Sequence, residues 1–186
     1  MSNQDWVWDG GRASLDLVNT YRDRKTGGRE LLLEPADLTA WLAASGLTPE
    51  RAEAGEASLL DARDLREAIS LCTDAAMAAR PPGAPELALL NRWASARHAP
   101  LLQLHPDLSL VRLPPSDPVS AALAEVAHDA VALLGGEARR LVRVCAGPEC
   151  GLRFMDRSNA GRRQWCSMRR CGNREKVRLH RARHSG

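Results

Sequence analysis

Four of the chain's five cysteines fall in its last quarter as two pairs, Cys145 with Cys150 and Cys166 with Cys171. Four residues separate the members of each pair, and fifteen separate the pairs. Two close pairs with a medium gap are what tetrahedral Zn²⁺ requires, because each pair sits on a tight turn and the gap returns the second to the first. Four thiolates fill the coordination sphere and leave no position for water, so the site is expected to be structural and not catalytic. Ala146-Gly147-Pro148-Glu149 is turn sequence between the first two ligands. Leu152 to Met155 and Arg163 to Trp165 are expected strands leaving and entering the turns, with Phe154 and Trp165 shielding the metal. Asn173 to His184 lacks Gly and Pro and is expected to be a closing helix.

Other uses of these residues stay open at this level. Two disulfides would employ the same four cysteines, and a redox switch that releases zinc on oxidation would too. A reducing compartment favours metal. His180 and His184, spaced i, i+4, would complete a two-Cys two-His finger with Cys166 and Cys171, but that leaves Cys145 and Cys150 unused. Cys72 lies on an apolar helical stripe and reads as a small buried hydrophobe.

The charges divide sharply. Residues 1–138 carry 12 Lys/Arg against 20 Asp/Glu, and residues 139–186 carry 14 against three, so a body of −8 is joined to a tail of +11. Such asymmetry points to a polyanionic partner for the tail. Arg162, Arg163, Arg169, Arg170, Arg174, Lys176, Arg178, Arg181 and Arg183 crowd around the cysteines. Arg174, Arg178 and Arg181 share one face of the closing helix by spacing. Arginine forks match phosphate oxygens and guanine edges. DNA is therefore the expected partner, through Arg162, Arg163, Arg170, Arg174, Lys176, Arg178 and Arg181. Docking of the basic helix on the chain's own acidic body, or on another protein, is the competing reading.

The elements that must hold this tail are helical by composition. Aromatic content is only 4%, so the core is built from Leu, Ala and Val, which favours helices. A short strand running into a turn is expected at Trp6 to Gly11, a short helix at Ala13 to Tyr21, and a loop from Arg22 to Arg29. A helix from Pro35 through Leu38, Trp41 and Leu42 stops at Gly46. Thr48-Pro49 reads as the start of a long helical stretch to Arg80, with Gly55 as an interruption. Its buried stripe is Ala62, Leu65, Ile69, Cys72, Ala76 and Ala79. Pro85 opens a helix to about His98, Leu101 to His105 and Leu108 to Leu113 form a hairpin, and Asp117-Pro118 begins a helix that Gly135-Gly136 ends. The charge changes sign just beyond that Gly pair, which divides residues 1–136 from 137–186.

The body shows no phosphate loop, nucleophile motif or clustered His/Asp/Glu set, so an enzyme is not expected. Asn19 and Arg22, one turn apart, are candidates for a small-molecule effector site. The alternative for Asn19 is that it satisfies backbone groups near a helix end. Asp16 and Asp37 read as surface or capping carboxylates. No window of 18 apolar residues points to a membrane, and the polar start Met1 to Asp5 lacks a secretory pattern, so a cytoplasmic protein is expected.

Two stretches resemble known families. Cys145 onward, through Cys166-Ser167-Met168-Arg169-Arg170-Cys171-Gly172-Asn173-Arg174-Glu175-Lys176, resembles the CGNR zinc finger, named for residues 171 to 174. Phe154-Met155-Asp156-Arg157-Ser158 and Arg162-Arg163-Gln164-Trp165-Cys166 are also similar to that pattern, over roughly 141–184. Leu15-Asp16-Leu17-Val18-Asn19-Thr20 resembles the LDxVNT signature of the bacterial ABATE domain, and Asp37 to Leu42 continues it. The resemblance implies stress-linked transcription regulation. The expected fold is mainly α with small β-hairpins: a helical N-terminal domain that senses a ligand or dimerises, followed by a small treble-clef-like zinc finger.

Overall fold

The computed structural model of the chain describes residues 6–49, 52–97 and 101–184, with the side chain of Leu179 outside that description. Met1 to Asp5 and the expected helix end at His98 lie outside the described residues. Five helices form the body: α1 (Ala13–Val18), α2 (Pro35–Ala44), α3 (Glu56–Met77), α4 (Ala84–Ser95) and α5 (Pro118–Gly135). Strands β1 (Tyr21–Arg22) and β2 (Arg29–Glu30) make a minimal hairpin between α1 and α2, and β3 (Leu101–Leu104) with β4 (Leu110–Leu113) make another between α4 and α5. The C-terminal module holds the antiparallel pair β5 (Val142–Val144) and β6 (Arg153–Met155), then α6 (Asn173–His184).

Leu17, Leu38, Trp41, Leu65, Ile69 and Leu123 lie at the centre of the body, each no more than 1% exposed. Helices α3, α4 and α5 pack on one another, with α1 between α3 and α5. Helix α5 is long and apolar enough by composition to cross a membrane, but its apolar face is the wall of this core. Cys72 is buried in the core, and burial pushes its thiol up, as expected for an inert small hydrophobe.

Local chemistry sets most boundaries. Pro35 occupies the first turn of α2, and Glu34 with Asp37 forms a reciprocal capping pair. Asp37 is thus a capping carboxylate, bonded to the Leu33 and Glu34 N–H groups at 2.7 and 3.0 Å. Asp117 caps α5 by accepting from the Ser120 N–H. The N-terminus of α1 is capped from a distance instead. Asp129 of α5 accepts from the Ser14 N–H and hydroxyl at 3.0 and 2.5 Å and pairs with Arg12 at 2.7 Å.

Four expectations need correction. Trp6 to Gly11 joins no ladder and bends at Gly10 and Gly11; its side chains and Gly10 carbonyl bind other elements instead. Helix α3 begins after Gly55, not at Thr48, because the Ala54 N–H is held by the Thr39 hydroxyl of α2 at 2.9 Å, which keeps the approach extended. The stripe of α3 runs through Ala75, while Ala76 is half-buried and Ala79 exposed. Arg163 to Trp165 is irregular and not a strand, and the strand that pairs with β6 is β5.

Candidate metal centre

The C-terminal module builds its site from two turns and a helix start. Hairpin β5–β6 opens into the first knuckle, where the Cys145 N–H bonds the Leu152 carbonyl at 2.8 Å and the Cys150 N–H reaches the Gly147 carbonyl at 3.3 Å. Gly147 suits this turn: a Cβ would lie 3.2 Å from the Cys150 Cβ, tighter than ordinary contact, and 3.6 Å from the sulfurs of Cys145 and Cys171. The second knuckle is a π-helical turn, Met168–Gly172, that runs directly into α6. There the N–H groups of Cys171 and Gly172 bond the Ser167 carbonyl at 3.0 and 3.1 Å. A knuckle at the tip of a hairpin, followed by a second knuckle that opens a helix, gives a treble-clef-like module.

All four cysteines are free and buried, and their sulfurs lie within 4.8 Å of one another. Two separations, Cys150 to Cys166 and Cys166 to Cys171, are 3.7 and 3.6 Å. A tetrahedron with Zn–S bonds of about 2.3 Å has edges of about 3.8 Å, so the set fits Zn²⁺. Without a cation the crowded sulfurs cannot all ionise. The Cys150 and Cys166 thiols hold Cys145 low, the Cys145 sulfur pushes Cys150 up to about 12, and contact with both neighbours drives Cys166 up as well. A divalent metal removes that conflict. Among the described residues, the metal-capable cluster comprises these four cysteines and neither His180 nor His184. Those two histidines are exposed and stack on each other at 4.2 Å along α6.

Phe154 is fully buried and Trp165 half-buried against the cysteines, as shielding requires. Val7, from the N-terminal segment, joins the same cluster. That segment spans the molecule: Trp8 stacks on Trp41 with 5.8 Å between rings, Asp9 pairs with Arg170, and the Gly10 carbonyl accepts from the Met155 N–H at 3.0 Å.

The body grips the finger at three further points. The Asn19 side chain bonds the backbone of β6 twice, accepting from the Arg153 N–H and donating to the Arg153 carbonyl, both at 2.9 Å. The Arg153 guanidinium lies buried against Asp74 of α3 at 2.7 Å. The Lys25 ammonium donates to the carbonyls of Cys145 and Gly147 at 2.7 and 3.0 Å, placing a positive charge on the first knuckle. Hairpin β1–β2 delivers Lys25 and is itself fixed on α3, where buried Arg66 forks onto Glu30 at 2.6 Å and Arg24 forks onto Glu67. Sequence reasoning missed Lys25, Asp74 and Arg153, which sit in unremarkable polar stretches. The LDxVNT signature pointed to Asn19, though not to its target. Arg22 stands in β1 opposite Arg29.

Asp16 departs from the expected surface carboxylate. It accepts from the Gly10 N–H at 2.9 Å, and a Cβ at residue 10 would lie 2.7 Å from its oxygen. Burial pushes its carboxyl up to about 7; the Gly10 bond opposes this, and Asp9 and Asp129 add repulsion. The folded state therefore holds a proton between the ordinary 3.8 and about 7, and stability falls as pH rises through that window. Asp16→Asn keeps the acceptor and removes the charge. In urea unfolding it is expected to gain on the order of 2–4 kcal/mol over the parent above pH 7 and little near pH 4. An equal gain at both would rule out ionisation as the cause.

The structure divides the basic residues by role. Arg163 lies 4.6 Å above the Phe154 ring and donates to the Trp165 and Cys166 carbonyls, so it braces the second knuckle. Arg170 holds Asp9. Arg174 and Arg178 pair with Glu149 and Glu175 at 3.5 and 2.6 Å. With Arg181 they line a cleft of about 450 Å³ between the first knuckle and α6. Arg162, Arg169, Lys176, Arg181 and Arg183 are exposed. A second hollow lies beside α2 at Ala36, Thr39 and Ala43, and Asn19 lines neither.

Residues 11–137 match the ABATE family model, described as "Putative stress-induced transcription regulator", and residues 141–184 match the CGNR zinc finger. Neither is an enzyme family. No curated protein matches the chain significantly. A helical body locked onto a four-thiolate knuckle, with both stretches matched in that order, establishes that the chain belongs to the ABATE family and ends in a CGNR zinc finger.

Proposed function

We propose that this chain is a cytoplasmic transcription regulator that binds DNA through the basic surface of its zinc finger, while the helical domain orients the finger and senses an effector or pairs two copies. The observation that carries this is the charge division, −8 on residues 1–138 and +11 on 139–186, with exposed Arg162, Arg169, Lys176, Arg181 and Arg183 set on a metal-fixed frame. A rigid frame lowers the ordering cost of the contacts. The internal ion pairs of Arg174 and Arg178 are solvent-facing and weak, so phosphate can replace the glutamates.

Binding of the zinc-loaded chain to random duplex DNA tests this reading. About six neutralised phosphates give a slope of about −5 in log K against log salt. Arg174→Ala with Arg178→Ala is expected to reduce that slope by about two and leave zinc content unchanged. Absence of binding at low salt sinks the proposal. A second reading, a protein-interaction module, draws on the mixed charge of the cleft, where Glu149 and Glu175 stand among the arginines. It is supported if the chain captures a peptide but gives no salt-dependent DNA binding.

A further inference from the structure

Four thiolates around Zn²⁺ leave an excess of two negative charges within a buried cluster. Buried charge is costly unless cations or dipoles face it. The cations around the two knuckles differ in what they face. Arg170 is held by Asp9, Arg174 by Glu149 at 3.5 Å and Arg153 by Asp74 at 2.7 Å. Lys25 and Arg163 are directed at the backbone of the metal ligands instead. Arg163 donates to the Trp165 and Cys166 carbonyls of the second knuckle. Lys25 donates to the Cys145 and Gly147 carbonyls of the first, at 2.7 and 3.0 Å. One cation thus stands on each knuckle, and each is bonded to the carbonyl of a cysteine ligand. Together they equal the excess of negative charge. Arg163 belongs to the finger, but Lys25 belongs to the helical body.

The body fixes Lys25 in the turn that joins β1 to β2. The Thr26 and Gly28 N–H groups both bond the Asp23 carbonyl, at 2.9 and 3.0 Å, which closes the turn. The preceding residue, Arg24, lies 4.6 Å over the Tyr21 ring and forks onto Glu67 of α3. From the other side the finger closes on the same turn. A Cβ at Gly151, directly after Cys150, would lie 3.4 Å from the Arg24 Cβ and 3.5 Å from the Lys25 Cγ. The lysine stem therefore runs along the first knuckle before its ammonium reaches the two carbonyls. Holding a long stem in one arrangement costs conformational entropy, which the two charge-assisted bonds must offset.

We propose that the charge of Lys25 tightens zinc binding by the four cysteines, so that the helical body supplies part of the finger's affinity for the metal. Lys25 acts through the carbonyls of Cys145 and Gly147 and is a positioning residue of the centre. The coupling is reciprocal: zinc in the finger favours the docked turn, which ties hairpin β1–β2 of the body to the metal. The proposal does not depend on whether the finger binds nucleic acid.

Competition between the full chain and a chromophoric chelator for zinc, at low ionic strength, tests it. Lys25→Gln keeps a donor for the carbonyls and removes the charge, and is expected to weaken zinc binding about ten- to a hundredfold. Lys25→Arg keeps donor and charge and is expected to stay close to the parent. Lys25→Glu reverses the charge and is expected to bind zinc more weakly than Lys25→Gln. Lys25 is exposed in its turn, so all three variants are expected to keep the parent's helical dichroism. Parent affinity in Lys25→Gln overturns the proposal, because hydrogen bonding alone would then account for the contact. So does a Lys25→Arg chain as weak as Lys25→Gln. Asn19→Leu separates charge from docking, since it removes an uncharged joint between body and finger. It is expected to hold zinc as the parent does, and a loss as large as that of Lys25→Gln overturns the proposal.

Discussion

Cys166→Ser will leave the chain without bound zinc and its C-terminal module unfolded. The Cys166 sulfur stands 3.7 and 3.6 Å from those of Cys150 and Cys171, and the residue is 1% exposed. A serine oxygen is shorter, harder and stays protonated, so it neither reaches the metal nor supplies charge. Structural zinc contributes about 10–16 kcal/mol in small fingers, and that binding energy is folding energy. Zinc content measured after a mild chelator wash should fall from one per chain to near zero. The damage should also spread, because Val7 of the N-terminal segment packs among the cysteines and Lys25 rests on the first knuckle. Before heating, the variant should already lack the finger's protected amides, while the α3–α4–α5 core keeps its helical signal up to its own thermal transition. Retention of one zinc per washed chain would falsify the four-thiolate assignment. Cys72→Ser serves as the contrast: full zinc content and a modest stability loss, since it buries a hydroxyl in the core.

The metal site was legible because its information is local. Each knuckle is a turn of four intervening residues, and a Cβ would crowd the Cys150 Cβ at Gly147 and the Met168 side chain at Gly172. The body helices were legible for the same reason: Pro35, Asp117-Pro118 and Gly46 act within one turn of where they stand. What failed was long-range. Trp6 to Gly11 reads as a short apolar strand before a Gly turn, yet its apolar side chains serve two different cores, Trp8 on Trp41 and Val7 on the cysteines. Asp16 reads as a helix-surface carboxylate until the chain around Gly10 folds over it. The basic run looked uniform, but Arg163 and Arg170 are occupied by Phe154 and Asp9, and no periodicity separates them from Arg162 and Arg169.

Asn19→Leu should loosen the finger from the body without removing its zinc. The Asn19 amide offers one donor and one acceptor to a single β6 residue, much as a neighbouring strand would. Leucine is of similar size but leaves the Arg153 N–H and carbonyl buried without partners, at about 1–3 kcal/mol each. A total loss of about 2–6 kcal/mol is therefore expected in chemical unfolding. Amide exchange at Arg153 should accelerate well beyond that of Leu65 or Ile69 in the core. Asn19→Asp separates the two bonds. It keeps the acceptor for the Arg153 N–H but sets a carboxylate against the Arg153 carbonyl, so it should also destabilise, and more so above the pH at which it ionises. If Asn19 instead served only an effector, both variants would alter ligand response and leave exchange at Arg153 unchanged. The remaining links, Arg153 to Asp74 and Lys25 to the first knuckle, would then hold the finger in register. Asn19 is the joint in that set with no charge to screen, so its contribution should persist at salt concentrations that weaken the solvent-facing Asp74 pair.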